Sequence, residues 1–219
     1  MQSSNPSRIL ITTGATNEPI DSVRYVGNKS SGKLGVLLGL AGATNRYDVT
    51  LLLGPNCVTP TSHPRLSTIP FSSARDLSAK LKELWPSHQI LIMAAAVADF
   101  TPKGGQVGRK IRRSESLTVA WSPTEDIVAG LASNARADQS VIGFALVASG
   151  KLEEVALEKM QRKNIDAIVA NPLDTMESNT ITAQIYCKDG RKLLPPNNLS
   201  KSHFATWLIE HLDEILNTT

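Results

Sequence analysis

The chain has 219 residues, 41% of them hydrophobic and 20% charged, with a formal net charge of +3. That length suits one large α/β domain, 1–219, able to bury roughly 70% of its unfolded surface, and the composition excludes disordered and collagen-like classes. No run approaches the ~20 apolar residues of a membrane span and Met1 to Ser7 shows no apolar signal core, so a cytoplasmic protein without membrane association is expected.

In chain order, strand-like runs fit at 8–13, 48–53, 89–94, 117–121, 140–146 and 165–170. Helical patterns fit at 33–46, 73–85, 124–134, 150–163 and 200–216. Ser72 or Ser73 can cap the second helix, and Pro86 stops it. Ser122, Pro123 and Glu125 supply an N-cap, a first-turn proline and a capping-box acid for the third. Thr101 to Gly108 is glycine-rich and leads into the basic run Arg109-Lys-Ile-Arg-Arg113, so 100–116 has the character of a flexible flap. Near the end, Thr180 to Tyr186 alternates, Asp189-Gly190 is a turn signal and Arg191 to Leu194 can return, which gives an antiparallel hairpin at about 178–196. The alternation predicts a three-layer, Rossmann-like fold: a mostly parallel sheet, helices on both faces and a late hairpin.

Two cysteines, Cys57 and Cys187, form no CxxC pair and no ligand cluster with His63, His88, His203 and His211, so structural roles are expected. Aromatic residues, 5% of the chain, do not interleave with the basic runs. Nucleic acid therefore has no stacking platform, and a small polyphosphate explains the clusters better.

The densest motif is Gly27-Asn-Lys-Ser-Ser-Gly-Lys-Leu-Gly35. It satisfies G-x-x-x-x-G-K but has Leu34 where a P-loop needs a Mg²⁺-ligating hydroxyl, and the strand at 8–13 lies well upstream. Phosphate holding at the start of the following helix survives that mismatch, because free N–H groups and the helix dipole favour an anion there. A plain glycine turn capping a helix is the bland alternative. In an open α/β sheet ligands sit beyond the carboxyl ends of the strands. Those ends carry Gly14-Ala-Thr16, Ala94-Ala-Ala-Val-Ala-Asp99, Gly143-Phe-Ala145 and Asn171-Pro172. No G-x-G-x-x-G follows the first strand, which weighs against a dinucleotide coenzyme and a Rossmann oxidoreductase using NAD(P).

Taken together, Thr13-Gly-Ala-Thr-Asn-Glu-Pro-Ile-Asp21, Val23 to Gly35, Ala94 to Asp99, Lys110-Ile-Arg-Arg113, Gly143-Phe-Ala145 and Arg162-Lys-Asn-Ile-Asp166 with Val169-Ala-Asn171 resemble phosphopantothenoylcysteine synthetases. The similarity runs in order from residue 8 to about 215. The resemblance implies a ligase of coenzyme A biosynthesis that activates 4′-phosphopantothenate with CTP or ATP, then joins it to cysteine, with pyrophosphate and a nucleoside monophosphate released. It implies Mg²⁺, a homodimer and no flavin in this domain. Catalytic roles fall on Asn28, whose amide would serve the acyl oxygen, and Lys110, which would reach the triphosphate from the flap. Nucleotide contacts fall on Gly14, Ser30, Gly32, Gly35, Asp99, Lys110, Phe144, Lys159, Lys163 and Asn171. Asn28, Ala95 and Ala96 would hold phosphopantothenate. Asn17 stands where the family commonly has a basic residue, which leaves CTP and ATP both open. A nucleotide-binding module without activity is the non-enzymatic alternative.

Overall fold

The computed structural model describes residues 7–105, 108–112, 118–148, 150–173 and 178–217. Its strands, in chain order, are β1 (Arg8–Thr13), β2 (Asn17–Pro19), β3 (Tyr25–Gly27), β4 (Asp48–Leu53), β5 (Leu66–Pro70), β6 (Ile90–Met93), β7 (Phe100–Pro102), β8 (Trp121–Pro123), β9 (Ser140–Val147), β10 (Ala167–Pro172), β11 (Thr180–Ile181), β12 (Gln184–Cys187), β13 (Lys192–Leu193) and β14 (Leu199–Ser200). The helices are α1 (Lys33–Thr44), α2 (Ala74–Leu84), α3 (Ile127–Ser133), α4 (Leu152–Lys163), α5 (Lys201–Glu210) and α6 (Leu212–Leu216).

The main sheet has the order β13-β12-β10-β9-β6-β1-β4-β5. Every pairing from β5 to β10 is parallel, and β12 and β13 complete the sheet antiparallel. Successive strand side chains point to opposite faces, so a strand buried on both sides must be apolar throughout. In β1, Ile9 and Ile11 join one core with Val36 and Leu38 of α1 and Phe204 and Leu208 of α5. Leu10 between them joins the other core, with Leu77 of α2, Leu131 of α3 and Met160 of α4. Helices α1, α5 and α6 therefore cover one face and α2, α3 and α4 the other, which is the expected three-layer Rossmann-like arrangement.

Several boundaries differ from expectation. The run 117–121 is no strand of the main sheet: residue 117 lies outside the described residues, and Trp121 to Pro123 instead pair with Phe100 to Pro102 in a separate ribbon. Pro123 consequently belongs to β8, and α3 starts later, at Asp126, whose carboxylate accepts from the Ala129 N–H. The last helix breaks into two at His211. The alternating run 180–186 splits as well, its first residues pairing with β14 and its last with β10 and β13. The hairpin at Asp189-Gly190 forms as expected, with Gly190 at φ +89°. β5 has no counterpart in the expected strands.

Candidate active site

The chain runs from β1 outward to β4 and β5, then returns to β6 on the other side of β1 and continues to β9 and β10. The strand order thus reverses between β1 and β6, where an open α/β sheet leaves a crevice at the carboxyl ends. Two loops meet there, Gly14 to Thr16 and Ala94 to Asp99. The Ala96 N–H donates to Gly14 O at 2.7 Å and the Thr16 N–H to Ala96 O at 3.2 Å. The Thr12 and Thr16 hydroxyls accept from the Ala95 and Ala98 amides at 3.2 and 3.0 Å. Buried threonines therefore fix the crevice floor. The amides of Ala95 and Ala96 are already donated within this floor.

Asn28 reaches the same floor from the loop after β3. Its amide nitrogen donates to Ala96 O at 3.3 Å and Val97 O at 3.1 Å. Both partners are carbonyls, which fixes which end of the amide is nitrogen. Both bonds sit at the long end of the range, so donation to an acyl oxygen requires exchange of one of them. Beside Asn28 a cavity of about 440 Å³ opens, lined by Val26, Ala98, Asp99, Phe100 and Trp121. Asp99 is exposed and its carbonyl accepts from the Thr124 N–H at 2.9 Å.

The start of α1 faces this crevice. Its N-cap is Gly32 at φ +68°, it has no side-chain cap and no acid in its first turn. Among the described α-helices it alone lacks both: Ser73, Asp126 and Ser200 cap α2, α3 and α5, while α4 and α6 carry first-turn acids. Unsatisfied N–H groups and the positive dipole end make such a terminus an anion site. Backbone approach is close around it. A Cβ on Gly14 or Gly32, both at positive φ, would lie 2.1 or 2.4 Å from the Cys57 sulfur. Cys57 is thus the side chain wedged between the two glycine turns, and burial pushes its thiol pKa up while a Gly54 backbone hydrogen bond opposes the shift. Gly35 has a packing duty, since a Cβ there would meet the Thr13 side chain at 2.2 Å. The Thr13 hydroxyl in turn donates to Gly32 O at 2.7 Å. Ser30 stands half-buried one turn before, its hydroxyl accepting from the Gly32 N–H at 3.4 Å.

The remaining expected residues lie along β9, α4 and β10. Phe144 packs against the α1 side of the core, and Asn171 is buried near the end of β10. Lys159 and Lys163 are both half-buried on α4. Lys163 is engaged, donating to Asp126 at 2.6 Å. Burial alone would raise the Asp126 pKa, but the Lys163 ammonium and the Ala129 amide outweigh it and lower the value. Lys110 is exposed within the described part of the flap; residues 106–107 and 113–117 lie outside the described residues.

Three residues outside the expected site set anchor this region: Cys57, for which the sequence predicts a structural role, and Glu18 and Asp21, which stand within the Thr13 to Asp21 run. Glu18 is buried and accepts from the Ala74 N–H at 2.8 Å, closing the start of α2. The Glu-Pro pair in Asn17-Glu-Pro19 could be read as a motif, but not as a cap for a helix 56 residues away.

Comparison with known proteins supplies the family. The DNA/pantothenate metabolism flavoprotein C-terminal domain matches residues 5–216. The Escherichia coli (strain K12) coenzyme A biosynthesis bifunctional protein CoaBC is 34% identical over 215 residues, 95% of this chain and 51% of that protein. A protein named cysteine/cysteine sulfinic acid decarboxylase, from an unknown prokaryotic organism, is 39% identical over 169 residues, 77% of this chain and 46% of that protein. The chain spans about half the length of these curated relatives. The crystal structure of the C-terminal domain of a coenzyme A biosynthesis bifunctional protein CoaBC superposes with a TM-score of 0.80 at 30% identity, covering 99% of this chain and 100% of that one. With its switch-point crevice, uncapped α1 and full-length match, the chain belongs to the DNA/pantothenate metabolism flavoprotein C-terminal domain family.

Proposed function

We propose that this chain is a phosphopantothenate–cysteine ligase of coenzyme A biosynthesis. The observation that carries the proposal is the open N-terminus of α1 set next to the Asn28 amide at the switch point, which joins a phosphate site to a donor suited to acyl transfer. The coenzyme A biosynthesis relatives, one of them a matched C-terminal domain covered end to end, support the same direction.

In the proposed reaction a carboxylate oxygen of 4′-phosphopantothenate attacks the α-phosphorus of CTP or ATP, and pyrophosphate leaves. The amine of cysteine then attacks the acyl carbon of the mixed anhydride; the C–O bond breaks, the nucleoside monophosphate leaves and the amine loses a proton. The first-turn amides of α1 and Lys110 would balance the phosphate charge. Gly14, Ser30, Gly32, Asp99, Phe144, Lys159, Lys163 and Asn171 would form the rest of the nucleotide site, with Lys163 leaving Asp126 to do so. Asn28 would exchange one carbonyl for the acyl oxygen as negative charge grows there. Among the described residues no group of three His, Cys, Asp or Glu could hold a metal. Mg²⁺ therefore enters the proposal as an ion carried by the phosphates and water, and no step is assigned to it. A homodimer with contacts from the late hairpin completes the proposal.

The glycine turn after β1 does not run directly into a helix, because β2 and β3 intervene before α1. That insertion separates this crevice from the dinucleotide fingerprint, in which turn and helix are continuous.

The test supplies phosphopantothenate, cysteine and Mg²⁺ with each nucleoside triphosphate, and follows pyrophosphate and the new amide. Turnover with CTP or ATP is expected; nucleotide binding without turnover would leave only a binding module. For Asn28→Asp, amide formation should fall by about 10²–10³ while pyrophosphate release survives better. Equal loss of both steps would remove the role given to the amide.

A further inference from the structure

Asp21 lies between β2 and β3 with its side chain fully buried, although the turn around it is exposed. Its two oxygens are divided between two tasks. Oδ1 accepts from the Val23 and Arg24 amides, both at 2.8 Å, and so shapes the turn leading to Asn28. Oδ2 accepts from Arg24 Nε and Nη2 at 3.0 and 2.5 Å, and from the Ile111 N–H at 3.1 Å. Arg24 Nη2 also donates to Ile111 O at 2.7 Å. Both backbone groups of Ile111 are thus held by one ion pair drawn from a turn 90 residues earlier. The Arg24 guanidinium keeps the Asp21 carboxyl well below the usual carboxylate range against the opposing effect of burial, and the backbone donors of Val23, Ile111 and Arg24 add to it.

This tie joins the described flap residues 108–112 to the turn between β2 and β3, and the residue next to Ile111 is Lys110. We infer that Asp21 is a positioning residue that docks the Lys110 segment against the turn leading through β3 to Asn28, so that one buried carboxylate registers the cation for the phosphates with the amide for acyl transfer. The inference deepens the ligase proposal, on which the role of Lys110 rests.

Asp21→Asn separates the two tasks. An amide oxygen can still shape the turn, whereas the amide NH₂ in place of Oδ2 would face three donors. Two readouts are needed. Limited trypsin digestion asks about docking without any assay of activity: cleavage after Arg109, Lys110 and Arg112 should accelerate about tenfold, the order expected when a charge-assisted tie is lost, while cleavage after exposed Arg46 stays unchanged. Equal acceleration at Arg46 would show that Asp21 merely holds the fold, and would overturn the inference. The second readout is a double-mutant cycle on pyrophosphate release with Lys110→Gln. If Asp21 acts through Lys110, each single variant slows release and the pair is no slower than Lys110→Gln within about threefold. Fully multiplicative effects would overturn the inference. Should Asp21→Asn not accumulate as folded protein, Arg24→Gln, which removes the guanidinium shared by Asp21 and the Ile111 carbonyl and leaves the flap sequence intact, takes its place in both experiments. Absence of turnover in the unmodified protein would defeat the ligase proposal, and the digestion would still decide whether the flap is docked by Asp21.

Discussion

Helices α1 and α2 both begin on the carboxyl side of the sheet, yet their first turns are finished in opposite ways. At α2 the Ser73 hydroxyl accepts from the Asp76 N–H at 3.3 Å, Glu18 accepts from the Ala74 N–H, and Asp76 accepts from the Ser72 N–H at 2.8 Å. At α1 no side chain caps the first amides and no acid stands in the first turn. The chain spends three acceptors to close one helix and none on the other. Closure makes α2 a structural strut; openness keeps α1 available to an anion.

The largest expected break in this contrast is Glu18→Ala. It strips a buried acceptor from the start of α2, leaves the Ala74 N–H to find another partner, and should lower stability by about 2 kcal/mol. Urea unfolding measures that loss, and nucleotide affinity measured alongside should stay within about threefold. If affinity fell as steeply as stability, the start of α2 would belong to the ligand site and the contrast would fail.

Ser31→Asp sharpens the contrast from the other side, by giving α1 the acid that α2 already has. Ser31 is exposed, immediately before the N-cap. A carboxylate near the helix start stabilises it by about 0.3–1 kcal/mol, so the melting temperature should hold or rise. The same charge competes with a phosphate, and nucleotide affinity should fall about tenfold, which is ~1.4 kcal/mol. Calorimetric titration with the triphosphate reads the change; unaltered affinity would place the phosphates elsewhere.

The two helix starts also mark what could be read from the residues alone. Ser73 was legible as a cap because its partner lies three positions on, and the apolar runs of β1, β4, β6, β9 and β10 announce a buried sheet. Local rules fail where the partner is remote. Ser122, Pro123 and Glu125 look like a helix start, but Ser122 and Pro123 pair in β8 and Glu125 accepts from Ser78 and Lys82. The true cap, Asp126, is set by where the loop after β6 holds the chain. β5 hides because it is an edge strand, half-buried to exposed, with Ser67, Thr68 and Pro70 breaking the apolar pattern. Asn28 was singled out by the resemblance. Its partners, Ala96 and Val97, became visible only when the switch point brought two distant loops together. Glu18 and Asp21 stand within the Thr13 to Asp21 run that carries the resemblance, but their bonds to Ala74 and Ile111 reach across 56 and 90 residues of chain.

The smallest expected effect lies at the far end of α2, where closure continues. His88 is fully buried below the Trp85–Ser87 turn; its Nδ1 meets Leu84 O at 2.8 Å and Nε2 meets the Thr50 hydroxyl at 2.9 Å. The neutral ring suits this site, with Nδ1–H donating to the carbonyl and Nε2 accepting from the hydroxyl. Burial lowers the pKa, the Leu84 carbonyl opposes the shift, and the like charge of Arg8 adds to the lowering. A group whose folded pKa is depressed binds its proton first in the unfolded chain. The stability it contributes is therefore complete above the unfolded value near ~6.5 and is lost as pH falls from there towards the folded value. One proton changes stability by at most ~1.4 kcal/mol per pH unit, and with an unfolded value of ~6.5 the loss between pH 7.5 and 5.5 stays below about 1.4 kcal/mol. Urea midpoints across that range should slope downward with acid for the unmodified protein and flatten in His88→Gln. An undiminished slope in the variant would assign the pH dependence to other groups and remove His88 from the closure of α2.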